Sequence, residues 1–169
     1  LVINRQKFDL HIAQNAMTAG AVILRNQKVL AAKKQRVGFV LDIQHEEQTA
    51  PVSCQMIIGA DGAHSRMRDS FGFPKPVELL HGISAEMIET TLDPRYVHIF
   101  VGATIAPGFF AWVIPTNTQG TTARIGLCIG KQSTYSLQHY FTNLLQQSLL
   151  QGSTEMKRFG GTIPLGPLK

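Results

Sequence analysis

Apolar positions recur along this chain with two different periods. Between Asn4 and Gly20, the residues Phe8, Ile12, Ala13, Ala16 and Met17 fall at helical spacing. That spacing predicts a helix capped by Asn4 and stopped near Gly20. The run Ala21-Val22-Ile23-Leu24 then reads as a short strand and 37–43 as a second. The polar segment His45 to Pro51 reads as a loop before a third strand, Val52 to Ile58. A short helix is expected over Ser65 to Phe71, ended by Gly72 and Pro74.

After Pro76 the texture changes. Strand-like segments at 77–87, 97–106, 109–114 and 121–129 are separated by Asp93-Pro94, Pro107-Gly108 and Asn117 to Gly120, all of them turn chemistry. This predicts an antiparallel meander. Ser133 is the expected cap of an amphipathic helix with the stripe Leu137, Tyr140, Phe141, Leu144, Leu145 and Leu149, ended by Gly152. The tail from Phe159 to Gly166 predicts one more strand. The pattern describes an α+β chain in two parts, 1–75 and 76–169.

Composition narrows the class. The chain has 169 residues, 44% of them hydrophobic and 16% charged, which suits a folded domain and excludes a disordered one. Its net charge is +5, with a local cluster of Arg25, Lys28, Lys33, Lys34 and Arg36. The cluster lacks interleaved aromatics and fits no nucleic-acid motif, so no nucleic-acid partner is expected. A strand edge guarded by lysines, or attraction to a phosphate-bearing cofactor or an anionic lipid surface, accounts for it as well. Cys54 and Cys128 sit in apolar runs without metal-ligand spacing and read as free thiols, in keeping with a cytoplasmic setting. No zinc pattern emerges among the six histidines. The stretch Ile99 to Ala123 carries no charge, but its prolines and glycines make it hairpins rather than a membrane span.

The segment with most chemistry runs from Cys54 to Arg68. An apolar run ends in Gly59-Ala60-Asp61-Gly62, followed by Ser65, Arg66 and Arg68. A carboxylate and several backbone N–H groups thereby meet at the end of an expected strand, where ligands bind in open α/β sheets. The same residues also suit a plain strand–turn–helix corner, since Asp-Gly is a common turn pair. Two further segments stand out: Asn4-Arg5-x-x-Phe8-Asp9 at the head of the first helix, and Pro107-Gly108-Phe109-Phe110-Ala111-Trp112-Val113-Ile114-Pro115.

Gly59-Ala60-Asp61-Gly62-x-x-Ser65-x-x-Arg68 resembles the second flavin fingerprint of FAD-dependent monooxygenases and geranylgeranyl reductases. Arg5-x-x-Phe8-Asp9 resembles an R-x-x-F-D element of that superfamily. The segment around Trp112 resembles the reductases' G-Y-x-W-x-F-P, and Gly160-Gly161-x-Ile163-Pro164 resembles their G-G-x-I-P strand. The resemblance implies part of a Rossmann-like FAD-binding domain joined to an antiparallel-sheet substrate domain. It implies that Arg5, Gly59, Ala60, Asp61 and Gly62 bind the cofactor, with Asp61 at the ribose and Arg5 at the phosphates, and that Phe109, Phe110 and Trp112 line a pocket for an apolar or aromatic small molecule. Ser65 reads as a helix cap and Arg68 as partner of a nearby carboxylate. NAD(P)H is the candidate electron donor, and an apolar substrate suggests peripheral association with a membrane.

Phe110, Ile114 and Thr116 depart from the reductases' usual Tyr, Phe and Lys. These departures keep open a second reading, an aromatic-hydroxylase-type monooxygenase or halogenase. A third is a non-catalytic binding domain that retains the fold. No general acid or base is evident. The superfamily's G-x-G-x-x-G and G-D-A-A segments are both missing from these residues, which implies an interior stretch of a longer enzyme. The expected outcome is weak FAD binding by the 169-residue chain alone; stoichiometric flavin absorbance after purification would contradict it.

Overall fold

The computed structural model describes residues 3–166, so residues 1–2 and 167–169 of the two expected parts lie outside the described residues. The chain forms two compact units. The first comprises the residues up to Asp61 with Ser65–Phe73, and the second Gly62–His64 with the residues from Pro74 onward.

The first unit opens with helix α1 (Arg5–Thr18). Asn4 caps it, its side-chain oxygen accepting from the Lys7 N–H at 3.1 Å. Three antiparallel strands follow, β1 (Gln27–Lys34), β2 (Phe39–His45) and β3 (Gln48–Cys54), in that spatial order. Helix α2 (Arg66–Ser70) packs against β1. Met67 of α2 and Ala32 of β1 are the buried apolar residues of this unit among those described, and Phe39 meets Phe71 edge to face at 5.5 Å. No residue of α1 is buried.

The strands of this unit differ from the sequence pattern in three places. Ala21–Leu24 is not a strand; β1 starts at Gln27 and carries Lys28, Lys33 and Lys34 on a sheet edge. The expected loop over His45–Pro51 is instead a tight turn at Glu46 and Glu47, with Glu46 at φ +54°. Strand β3 therefore begins at Gln48. Pro51 fits within it because β3 is itself an edge strand, where a missing N–H costs no ladder bond. Of the expected strand 52–58, residues 52–54 pair within β3, whereas residues 56–60 join no ladder and lead unpaired into the Gly59–Gly62 corner.

The second unit is a five-stranded antiparallel sheet in the order β5-β6-β7-β4-β8. Its strands are β4 (Glu78–Ile88), β5 (His98–Val101), β6 (Phe110–Pro115), β7 (Thr122–Ile129) and β8 (Thr154–Leu165). Strands β5, β6 and β7 form the expected meander, but β4 lies centrally between β7 and β8 instead of preceding β5. The expected strand 97–106 stops at Val101 because the chain turns at Gly102, whose carbonyl accepts from the Ala106 N–H at 2.9 Å.

Pleating sends successive side chains to opposite faces. Ala85 and Met87 of β4, Ala111 and Val113 of β6, and Ala123, Ile125, Leu127 and Ile129 of β7 all lie on one face. Helix α3 (Leu137–Leu145) covers it with Tyr140, Phe141 and Leu144. The helix cap is Ser136, not Ser133, and the helix ends at Leu145, short of Gly152; a 3₁₀ turn at Ser148–Leu150 adds Leu150 to the core. Ser133 instead donates its hydroxyl to the Gly130 carbonyl at 2.5 Å.

Among the described residues, no helix is long and apolar enough to cross a membrane. Because Leu144 is fully buried, Leu144→Ala is expected to cost about 2–5 kcal/mol. Ile12→Ala on α1, where Ile12 is half exposed, should cost under about 1 kcal/mol. Urea unfolding of the two variants measures the difference.

Candidate functional site

The chain reverses between residues 58 and 66, and one carboxylate organises the reversal. Asp61 Oδ1 accepts from the Ser65 hydroxyl at 2.5 Å, and Oδ2 accepts from the backbone N–H groups of Arg66 at 2.6 Å and Met67 at 3.1 Å. Ser65 in turn caps α2, its Oγ accepting from the Arg68 N–H at 2.9 Å. Three N–H groups at the start of α2 are thereby satisfied by two side chains. These bonds, the one from Ser65 foremost, hold the Asp61 carboxyl below the usual carboxylate range.

The corner glycines have different duties. A Cβ on Gly59 would stand 2.8 Å from Met67 Cβ, so Gly59 is required for the close seating of α2. Gly62 has φ +81°, with no atom within 4 Å of the place a Cβ would take. Glycine is needed there for the backbone turn, and the space beside it is open. Ala60 is exposed between them. Arg68 pairs with Asp69 at 3.3 Å, the expected carboxylate partner. Within the second unit, His64 Nε2 and Thr162 Oγ1 lie 3.1 Å apart, tying residues 62–64 to β8.

Arg5 lies at the head of α1, its Nε and Nη2 donating to Asp9 at 3.1 and 3.3 Å. The two side chains stand one helical turn apart, both well exposed. A guanidinium has five N–H donors, so this fork leaves three for an anion.

Phe109, Phe110 and Trp112 do come together. Phe109 stacks on Phe110 with ring centres 4.4 Å apart, and Phe110 meets Trp112 edge-on at 5.9 Å. Phe110 and Trp112 project from the sheet face opposite α3, all three aromatics being half-buried. A Cβ on Gly126 would meet Trp112 Cζ2 and Ser84 Oγ at 2.5 Å, so the indole lies across a strand kept bare for it. Cys128 fills a similar notch at Gly82; it is a free thiol whose pKa burial pushes up, and Cys54 is also free. Sequence reasoning missed Gly126, Arg124 and Phe159, which share this face through the β6–β7–β4–β8 register. Only the strand order makes them neighbours.

No group of three or more His, Cys, Asp or Glu side chains able to hold a metal exists among the described residues. The donors present instead suit a phosphate-bearing nucleotide cofactor. Arg5 supplies an exposed cation, Asp61 Oδ1 keeps an acceptor lone pair for a hydroxyl, and Gly62 leaves open space beside the turn.

Two outcomes follow from this geometry. Gly59→Ala should destabilise the first unit by about 1–3 kcal/mol through the clash with Met67, read as a lowered urea midpoint. Because the folded-state pKa of Asp61 is depressed, its capping bonds persist above the unfolded value near 3.8 and are lost as pH falls through the folded value. Amide exchange at Arg66 and Met67 should accelerate in that acidic window and stay flat in Asp61→Asn.

Comparisons with known proteins bear on the family and the fold. The model of the FAD binding domain family matches residues 1–156. A digeranylgeranylglycerophospholipid reductase from Thermoplasma volcanium is 31% identical over 142 residues, covering 76% of this chain and 33% of that protein. The crystal structure of a geranylgeranyl bacteriochlorophyll reductase-like protein from Thermoplasma acidophilum superimposes with a TM-score of 0.84 at 24% identity, over 95% of this chain and 42% of that one. Aklavinone-11 hydroxylase, solved with FAD and aklavinone, shares the fold with a TM-score of 0.71 at 13% identity, over 96% of this chain and 33% of that one. The chain spans 33% to 44% of the length of the first three curated relatives it matches. By the match over nearly its whole length, this chain belongs to the FAD binding domain family.

Proposed function

We propose that this chain is part of an FAD-dependent oxidoreductase that reduces C=C bonds of an isoprenoid or another apolar substrate. The observation that carries the reading is the sheet face opposite α3. It presents Phe110 and Trp112 beside Ile99 and Val101, the last two well exposed, and so offers an aromatic wall that suits a greasy ligand. The reductase name of the Thermoplasma volcanium relative supports the same class.

The corner residues take the cofactor in this reading. Arg5 pairs with phosphate through the N–H groups that Asp9 leaves, and Asp61 accepts a ribose hydroxyl on Oδ1. Gly62 lets the backbone approach, and Ala60 adds no bulk. Gly59 acts one step back, by seating α2. FAD, when bound, supplies the redox chemistry, and the protein positions and shields it. NAD(P)H is the electron donor we assign. Free thiols at Cys54 and Cys128 agree with a cytoplasmic setting, with peripheral contact to the bilayer that dissolves such a substrate.

A hydroxylase or halogenase is the second reading. Phe110 favours it, standing where the resembling reductase segment carries Tyr. Substrate-dependent O₂ consumption by the full-length parent with an aromatic compound would select that reading. Anaerobic saturation of an isoprenoid by the reduced parent would select the first. Asp61→Ala in the parent should lower flavin affinity by about ten-fold or more. Unchanged flavin content and unchanged turnover would instead mark a non-catalytic domain.

A further inference from the structure

The sheet face that carries Trp112 is largely apolar, with Glu78 at one end of β4 and a row of charge near the other. Across β7, β4 and β8 the register aligns Arg124, Glu86 and Lys157, two cations around one carboxylate. Arg124 Nη2 donates to Glu86 Oε1 at 2.7 Å, and its guanidinium lies 5.7 Å from the centre of the Phe159 ring. Its Nε is buried without a hydrogen-bond partner among the described residues. A donor shielded from water normally finds an acceptor, and the row holds one positive charge more than Glu86 balances. Trp112 sits in the adjacent row, opposite Gly126, with Ser84 and Phe159 following on β4 and β8.

We propose that Arg124, held by Glu86 and stacked on Phe159, binds the phosphate end of an isoprenoid lipid whose chain lies along Phe110 and Trp112. The inference rests on the apolar-substrate reading above and adds the residue that selects a charged head. A guanidinium suits a phosphate better than a lysine does, because its planar fork offers paired N–H donors to two oxygens. Glu86 competes for the same fork, so it tunes the affinity downward.

The single tryptophan of the chain, Trp112, reports on this face without any need for turnover. Titrated with geranylgeranyl phosphate and with geranylgeraniol, the chain should show a fluorescence change with about ten-fold tighter binding of the phosphate. Arg124→Met should equalise the two lipids, while Glu86→Gln should widen the preference, an opposite sign that misfolding would not produce. Inorganic phosphate alone should not compete at matching concentrations; if it does, the site is one for free phosphate and the lipid assignment fails. Equal affinity for both lipids, a preference that survives Arg124→Met, or no response to either lipid overturns the proposal. Isoprenoid turnover by the parent judges the reductase reading separately, since the binding preference is read whether or not reduction occurs.

Discussion

One helix laid against one side of a pleated sheet dictates the second unit. Once Phe141 and Leu144 of α3 are buried on the odd-numbered positions of β4, β6 and β7, the even-numbered positions are committed to the other side. A slip of one residue in β4 would expose Ala85 and Met87 and drive Glu86 into the core. The position of Trp112, the notch at Gly126 and the Arg124–Glu86 pair all follow from that single choice of face.

The first unit rests on a different balance. Its buried apolar side chains are few, with Ala32 and Met67 in the described part, and directional bonds carry more of the definition. Asn4, Ser65 and Asp61 each satisfy helix N–H groups. Gly59 lets α2 come close enough for Met67 to be buried at all. Apolar residues of α1 such as Phe8, Leu10 and Ile12 remain largely exposed, so helical spacing in this stretch correctly marks the helix without identifying what it packs on.

This contrast explains what could be read from the sequence. Helix α1 and its cap, the cap at Ser65, the β6 and β7 strands and the apolar stripe of α3 follow from local chemistry, which the sequence displays. Strand β1 was hidden because Lys28, Lys33 and Lys34 on an edge read as solvated surface, whereas Ala21–Leu24 looked more apolar. The turn at Glu46 was hidden because a glutamate in the left-handed region lacks the usual Asn or Gly signal. The central place of β4 is a non-local fact, set by pairings with residues 34 to 87 positions away. At the site, the residue types of the corner were legible, but the commitment of Asp61 to α2 depends on a fold of five or six residues back on itself.

That commitment has a thermodynamic consequence. The three donors gathered by Asp61 fix the backbone from the turn into α2 without any ligand. Ordering a flexible loop on binding subtracts from affinity, because its conformational entropy must be lost when the complex forms. Here that loss has already been met during folding, offset by charge-assisted bonds within the protein. In the cofactor reading proposed above, a nucleotide that binds beside Gly62 would meet a rim already ordered by Asp61, and little of its binding free energy would go into ordering it.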